Sequence, residues 1–168
     1  MLNLTPYPAE PAARMQALYE QACALTDGQT HLLSNLANLA ALLYDALEDV
    51  NWVGFYLLDG GELVLGPFCG KPACLRIRPG RGVCGTALCQ DRTLRVPDVH
   101  AFPGHIACDA ASRSELVVPL RLGGRTVGVI DLDSPLPARF TPVEQALVER
   151  IAALLERRCE ASAGYSLR

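Results

Sequence analysis

Cys74, Cys84 and Cys108 stand ten and twenty-four residues apart. The last lies in a loop crowded with reactive groups: Pro97, Asp98, His100, Pro103, Gly104, His105, Cys108 and Asp109. A loop of this length without an element of its own is usually functional or disordered. Its aromatic, imidazole, thiol and carboxylate groups are not the composition of a linker. A nucleophilic cysteine needs exposure and help in becoming a thiolate. The A-C-D loop offers exposure. His100 and His105, near in sequence, would lower the thiol pKa, and Asp109 would oppose them. Cys108 is therefore read as the group that reacts. Cys84 follows R-G-V at the start of a short helix, where the dipole favours a thiolate. A sulfenic acid formed on one cysteine condenses with a neighbouring thiol.

Carboxylates form the second constellation. Glu115, Asp131 and Asp133 begin or end the two strands that flank the loop. Asp131 and Asp133 are two apart, so on a strand both point to one face. Two carboxylates in the apolar context I-D-L-D are costly unless they bind something. Clustered carboxylates also raise one another's pKa, which keeps an acid protonated near neutral pH. Trp52 and Tyr56, four apart on an earlier strand, share a face as well and are either core or pocket wall.

The elements that must position these groups follow from periodicity. Residues 8 to 26 read as a first helix, with apolar Ala12, Met15, Leu18, Tyr19, Ala22 and Leu25 at spacings of three and four. A second runs from about Gln29 to Leu47, its stripe marked by Leu32, Leu33, Leu36, Leu39, Ala40, Leu43 and Leu47. The period then changes to that of strands: N-W-V-G-F-Y-L-L, a turn at Asp59-Gly60-Gly61, E-L-V-L-G-P-F, a break at residues 69 to 72, then A-C-L-R-I-R. G-V-C-G-T-A-L-C-Q is a short helix and T-L-R-V a fourth strand. After the loop, E-L-V-V-P-L-R-L and R-T-V-G-V-I-D-L-D form a hairpin over Gly123-Gly124, with Pro119 pointing to an edge or a bulge. The last helix spans about Pro142 to Glu160, with Thr141 as cap in a T-P-V-E capping box and Val143, Ala146, Leu147, Ile151, Leu154 and Leu155 on its apolar face. The tail from 161 to 168 frays.

The expected fold is α+β: one domain over residues 1–168 around a largely antiparallel sheet of about six strands. The terminal helices, including the N-terminal one within residues 1–28, cover one sheet face. The short helix and the long loop cover a pocket on the other.

Composition narrows the function classes. A net charge of −3 lacks the basic footprint of a nucleic-acid binder. No apolar run reaches the length of a spanning helix, and the N-terminus lacks the layout of a signal peptide, so a cytoplasmic protein off the membrane is expected. The seven cysteines are an odd number, and in a reducing compartment permanent disulfides are not expected. Cys23 and Cys159 fall in helices as small hydrophobes. The set His100, His105, Cys108 and Asp109 does not have structural zinc spacing, so no metal is expected.

The segments N-W-V-G-F-Y-L-L, L-G-P-F-C-G-K-P-A-C, G-R-G-V-C-G-T-A, V-P-D-V-H-A-F-P-G-H-I-A-C-D, S-R-S-E-L-V-V-P-L and I-D-L-D-S-P resemble the free methionine-(R)-sulfoxide reductases, small stand-alone GAF-domain enzymes. The likeness runs from about Asn51 to Phe140. Cys69 and Cys89 depart from the family's three-cysteine pattern and are read as passengers. The resemblance implies that Cys108 attacks the sulfoxide sulfur of free methionine sulfoxide, releases methionine and becomes a sulfenic acid. It implies that Cys74 takes the first disulfide with Cys108 and that Cys84 takes part or relays. Glu115, Asp131 and Asp133 would grip the substrate ammonium group and hydrogen-bond the sulfoxide oxygen. Trp52 would wall the S-methyl group, with Tyr56 lining the same pocket. No metal or organic cofactor is implied; electrons would come from thioredoxin, ultimately from NADPH. A homodimer is implied too. The competing reading is a small-molecule-binding or redox-sensing GAF module without turnover, which leaves the thiols idle.

Overall fold

In a computed structural model, residues 7–104 and 110–159 are described. His105, Cys108 and Asp109, and the tail from 161 to 168, lie outside the described residues.

Two helices open the chain, α1 (Pro11–Leu25) and α2 (Leu32–Ala46). The first begins later than periodicity suggests because Glu10 caps it: its carboxylate accepts from Ala12 N at 3.0 Å and Ala13 N at 2.6 Å. The second starts after His31, whose ring accepts from Ser34 N. Then come β1 (Trp52–Asp59), β2 (Glu62–Gly70), β3 (Arg76–Ile77), α3 (Gly82–Gln90), β4 (Leu94–Val96), β5 (Ser114–Leu122), β6 (Arg125–Ser134) and α4 (Pro142–Cys159). The six strands form one antiparallel sheet in the order β3-β2-β1-β6-β5-β4.

Period-2 alternation sorts the sheet into two faces. Val53, Phe55, Leu57, Leu116, Val118, Leu120, Ile130 and Leu132 point to one side and pack against α1, α2 and α4. Each such side chain, fully buried, contributes about 1.5–3 kcal/mol of transfer free energy. Trp52, Tyr56, Val117 and Val129 point to the other side, toward α3, in one cluster with Leu94 and Val96 of β4. This is the expected layering. Leu33 and Val143 correct the predicted apolar stripes, since both are exposed. The capping box is present: Glu144 accepts from Thr141 N at 3.0 Å, and Thr141 Oγ1 from Val143 N at 3.2 Å.

The strands near the site differ from their predicted lengths. The third is only Arg76–Ile77; of the residues before it, Lys71, Pro72 and Ala73 line the pocket instead. The second continues through Cys69 to Gly70, which pairs with Trp52. Pro119 lies beyond the reach of the short β4, and the β5–β6 register slips just after it, between Leu120 and Arg121.

Candidate active site

Strand register assembles the site. Across the sheet, Gly70, Trp52, Asp133, Glu115 and Val96 lie in one row on five strands. The next row is Phe68, Gly54, Asp131, Val117 and Leu94. Paired residues share a face, so Trp52, Tyr56, Glu115, Asp131 and Asp133 all point to the side opposite the helical core. All five line one pocket, with about 550 Å³ of empty space including its open mouth. The two aspartates belong to the regular strand β6, so I-D-L-D is not the beginning of the Ser134-Pro135 turn.

Gly54 makes the aromatic wall possible. A Cβ there would lie 2.4 Å from the Trp52 ring and 2.5 Å from Phe68 Cβ. Without one, the indole lies flat over β1, stacked on Phe68 at 5.4 Å and on Tyr56 at 5.9 Å. Both aromatic polar ends are spent on one segment. Trp52 Nε1 donates to the Lys71 carbonyl at 3.1 Å, and the Tyr56 hydroxyl donates to the Cys74 carbonyl at 3.1 Å. The backbone of residues 71 to 74 is thereby pinned to the wall. Cys74 is disulfide-bonded and half-buried. Leu75, next to it, is 74% exposed.

Helix α3 supplies the lid of the floor. At Gly85 a Cβ would meet the Arg78 carbonyl at 2.4 Å, so only glycine lets the first turn settle this close. That approach lowers Cys84 onto the carboxylates: its Sγ lies 3.7 Å from Glu115 Oε1. Cys84 Sγ and one oxygen each of Glu115 and Asp131 lie within 4.8 Å of one another. All three residues are buried, and Asp131 Oδ1 has no hydrogen-bond partner among the described residues.

Burial decides the protonation states. It raises Glu115 well above its ordinary value, reinforced by the charges of Asp131 and Asp133. Burial also pushes Asp131 up, to about 6, while hydrogen bonds from Cys84 and Glu115 pull the other way. Both carboxyls are thus shifted toward their protonated forms. Cys84 is only 4% exposed. Burial first, then the charges of Asp131 and Glu115, raise its thiol well above the ordinary range. This corrects the expectation of a dipole-favoured thiolate: desolvation of a buried sulfur beside two carboxyls exceeds the field of one short helix. Burial likewise raises Tyr56, which stays a neutral donor.

Of the remaining cysteines, Cys69 packs against the helical core and Cys89 is exposed; both are free and neither lines the pocket. Cys23 and Cys159 belong to the helical side. His100 is exposed on a short turn over Val99–Ala101.

Three features escaped the sequence reading. Gly54 clears the space for the indole. Ser112, buried at the pocket wall, accepts from Asn51 Nδ2 at 3.2 Å. At the start of α3, Arg81 makes no side-chain cap, Gly82 N donates to the Gly104 carbonyl and Gly85 N to Arg81. The first-turn N–H groups of Val83 and Cys84 have no acceptor within the helix, and both residues line the pocket. The lone glycine among bulky residues in W-V-G-F-Y was the available signal for the first. The others depend on approach between distant segments.

The GAF domain model matches residues 31–158. Free methionine-R-sulfoxide reductase of Escherichia coli is 53% identical over 134 residues, covering 80% of this chain and 81% of that protein. The enzyme of the same name from Saccharomyces cerevisiae is 44% identical over 143 residues, 80% of this chain and 79% of that one. An X-ray structure of free methionine-R-sulfoxide reductase from Neisseria meningitidis, in complex with its substrate, superposes with a TM-score of 0.92 at 44% identity, covering 96% of this chain and 98% of that one.

Proposed function

This chain belongs to the GAF-domain family, among its free methionine-R-sulfoxide reductases, and from that premise we propose that it reduces free methionine sulfoxide to methionine by thiol–disulfide chemistry. The observation that carries the reading is a buried Glu115, its carboxyl raised well above the ordinary range, in one pocket with an aromatic wall whose polar ends pin the disulfide-bonded Cys74 segment.

The substrate methyl group packs on the Trp52 indole. Its ammonium group is held by Asp133 and Asp131, whose unpartnered Oδ1 needs a donor. Its carboxylate takes the Val83 and Cys84 N–H groups at the start of α3. A peptide-bound residue has neither terminal charge, which accounts for selectivity toward the free amino acid. The R configuration is the preferred epimer.

Cys108, as thiolate, attacks the sulfoxide sulfur, and Glu115 gives its proton to the sulfoxide oxygen. The S–S bond so formed breaks as the hydroxyl passes from the methionine sulfur to the Cys108 sulfur: methionine leaves and Cys108 becomes a sulfenic acid. The Cys74 thiol attacks that sulfur, its proton leaves with the hydroxyl as water, and the Cys74–Cys108 disulfide closes. Cys84 is the slower alternative thiol, since its sulfur is buried and protonated. A dithiol reductant returns both cysteines to thiols; thioredoxin, supplied from NADPH in the cytoplasm, is the proposed donor. It approaches beside Leu75, whose exposed side chain adjoins the disulfide. No metal or organic cofactor takes part in these steps. The working unit is a homodimer.

Methionine release from racemic free methionine sulfoxide with dithiothreitol, beside a methionine-sulfoxide peptide, tests the assignment. Consumption of about half the racemate, with the peptide untouched, is expected for an epimer-specific enzyme. Binding of the free sulfoxide without release of methionine would mean a sensor module instead.

A further inference from the structure

We propose that Cys84, Glu115 and Asp131 form a binding site for a borderline-soft divalent cation of the zinc class, occupied only in competition with the substrate. The ligand set mixes one sulfur with two carboxylates, which suits Zn²⁺ or Co²⁺ rather than Mg²⁺ or Ca²⁺.

Geometry carries the inference. Tetrahedral Zn–S and Zn–O bonds set sulfur and oxygen about 3.5 Å apart. Cys84 Sγ and Glu115 Oε1 already lie at 3.7 Å, and the Asp131 oxygen is within 4.8 Å of both. The independent sign is Asp131 Oδ1. This residue is 6% exposed, yet the oxygen has no partner among the described residues. A buried, unpaired carboxylate oxygen costs free energy that a cation removes. The three ligands come from α3, β5 and β6, elements fixed by the sheet and by close packing at Gly85, so little rearrangement is needed. Asp133, paired in register with Glu115 and half-buried, lines the same pocket.

Charge balance sets the conditions. Coordination requires the Cys84 thiol and the Glu115 carboxyl to lose their protons, so each cation that binds releases protons. The bound cation removes the proton donor and occupies the place of the substrate ammonium group. The protein would then be held inactive until the cation leaves. That inhibitory consequence rests on the substrate reading; the binding itself does not.

Co²⁺ serves as the probe, on protein in which the Cys74 disulfide is closed, so that Cys74 contributes no thiolate. One Co²⁺ per chain with a sulfur-to-metal charge-transfer band is expected, displaced by Zn²⁺ and by free methionine sulfoxide. Loss of a direct ligand should cost at least the about 10- to 100-fold seen for outer-shell partners, so Glu115→Gln and Cys84→Ala should each weaken binding by that much. Cys89→Ser, at an exposed free thiol, should change nothing. Glu115→Gln keeps the shape of the site and covers the case in which Cys84→Ala misfolds. Absence of a charge-transfer band, or unchanged affinity in Glu115→Gln, overturns the site. Binding that the sulfoxide does not displace overturns the competition. If Co²⁺ binds as stated while wild-type protein releases no methionine, the cation site stands and the reductase reading fails.

Discussion

The Tyr56 hydroxyl donates to the Cys74 carbonyl across 3.1 Å, joining the aromatic wall of the pocket to the backbone of a disulfide-bonded cysteine. Tyr56 therefore has two duties, lining the cavity and holding Cys74 where a second sulfur reaches it. The hydrogen bond acts on disulfide closure, not on the first attack. Its net worth is about 0.5–1.5 kcal/mol, or roughly 2- to 12-fold in a rate. Tyr56→Phe should slow steady-state turnover by that factor and leave the first equivalent of methionine unchanged. Rapid-quench measurement of the burst separates the two.

In the proposed reaction Glu115 protonates the leaving oxygen, a role that suits a carboxyl which burial raises well above its ordinary range. Glu115→Gln retains the shape and removes the proton, so kcat should fall by about 10²- to 10⁴-fold. Activity of the wild type should decline on the alkaline side as Glu115 ionises. A pH–rate profile of the variant should lack that limb.

The same burial has a cost in stability. Asp131 is raised in the folded state from 3.8 to about 6, so the native protein binds more protons than the unfolded chain between those values. Stability therefore falls as pH rises through that window, and the loss persists above it. A shift of this size corresponds to roughly 3 kcal/mol. Asp131→Asn should be more stable than wild type at neutral pH by up to about that amount, and the two should converge near pH 4. Urea melts across pH 4–8 provide the comparison. The variant should bind substrate more weakly.

Leu75 is 74% exposed beside the disulfide-bonded Cys74, and its carbonyl accepts from Leu65 N at 3.0 Å, which fixes its position. A protein reductant must cover this side chain to reach the disulfide; dithiothreitol need not. Leu75→Glu should raise the apparent KM for thioredoxin by roughly 10-fold, since an apolar anchor at an interface costs more than about 1 kcal/mol. The dithiothreitol-supported rate should stay the same. Equal loss with both reductants would place Leu75 in the pocket machinery instead.

Sequence patterns carried much of this architecture. The two-residue period of N-W-V-G-F-Y and I-D-L-D placed Trp52, Tyr56, Asp131 and Asp133 on single faces. Strand pairing then brought those faces together, with Glu115 opposite Asp133. Local pattern misjudged Cys84. A helix start reads as electropositive from sequence, but the sulfur's fate depends on which distant strands lie beneath it. The contribution of Gly54 was hidden for a similar reason: its value lies in a ring from two residues away folding over it. Leu33 and Val143 carried the right period, but their positions fall at the margin of the contact between helix and sheet.

The central claim is the order of thiols, and counting methionine tests it most directly. Reduced protein is mixed with excess free methionine-(R)-sulfoxide without any external reductant, and methionine released per chain is measured. Cys74→Ser should release one equivalent and stop, with a trappable sulfenic acid on Cys108. Cys108→Ser should release none. Full turnover by Cys108→Ser with dithiothreitol would contradict the account.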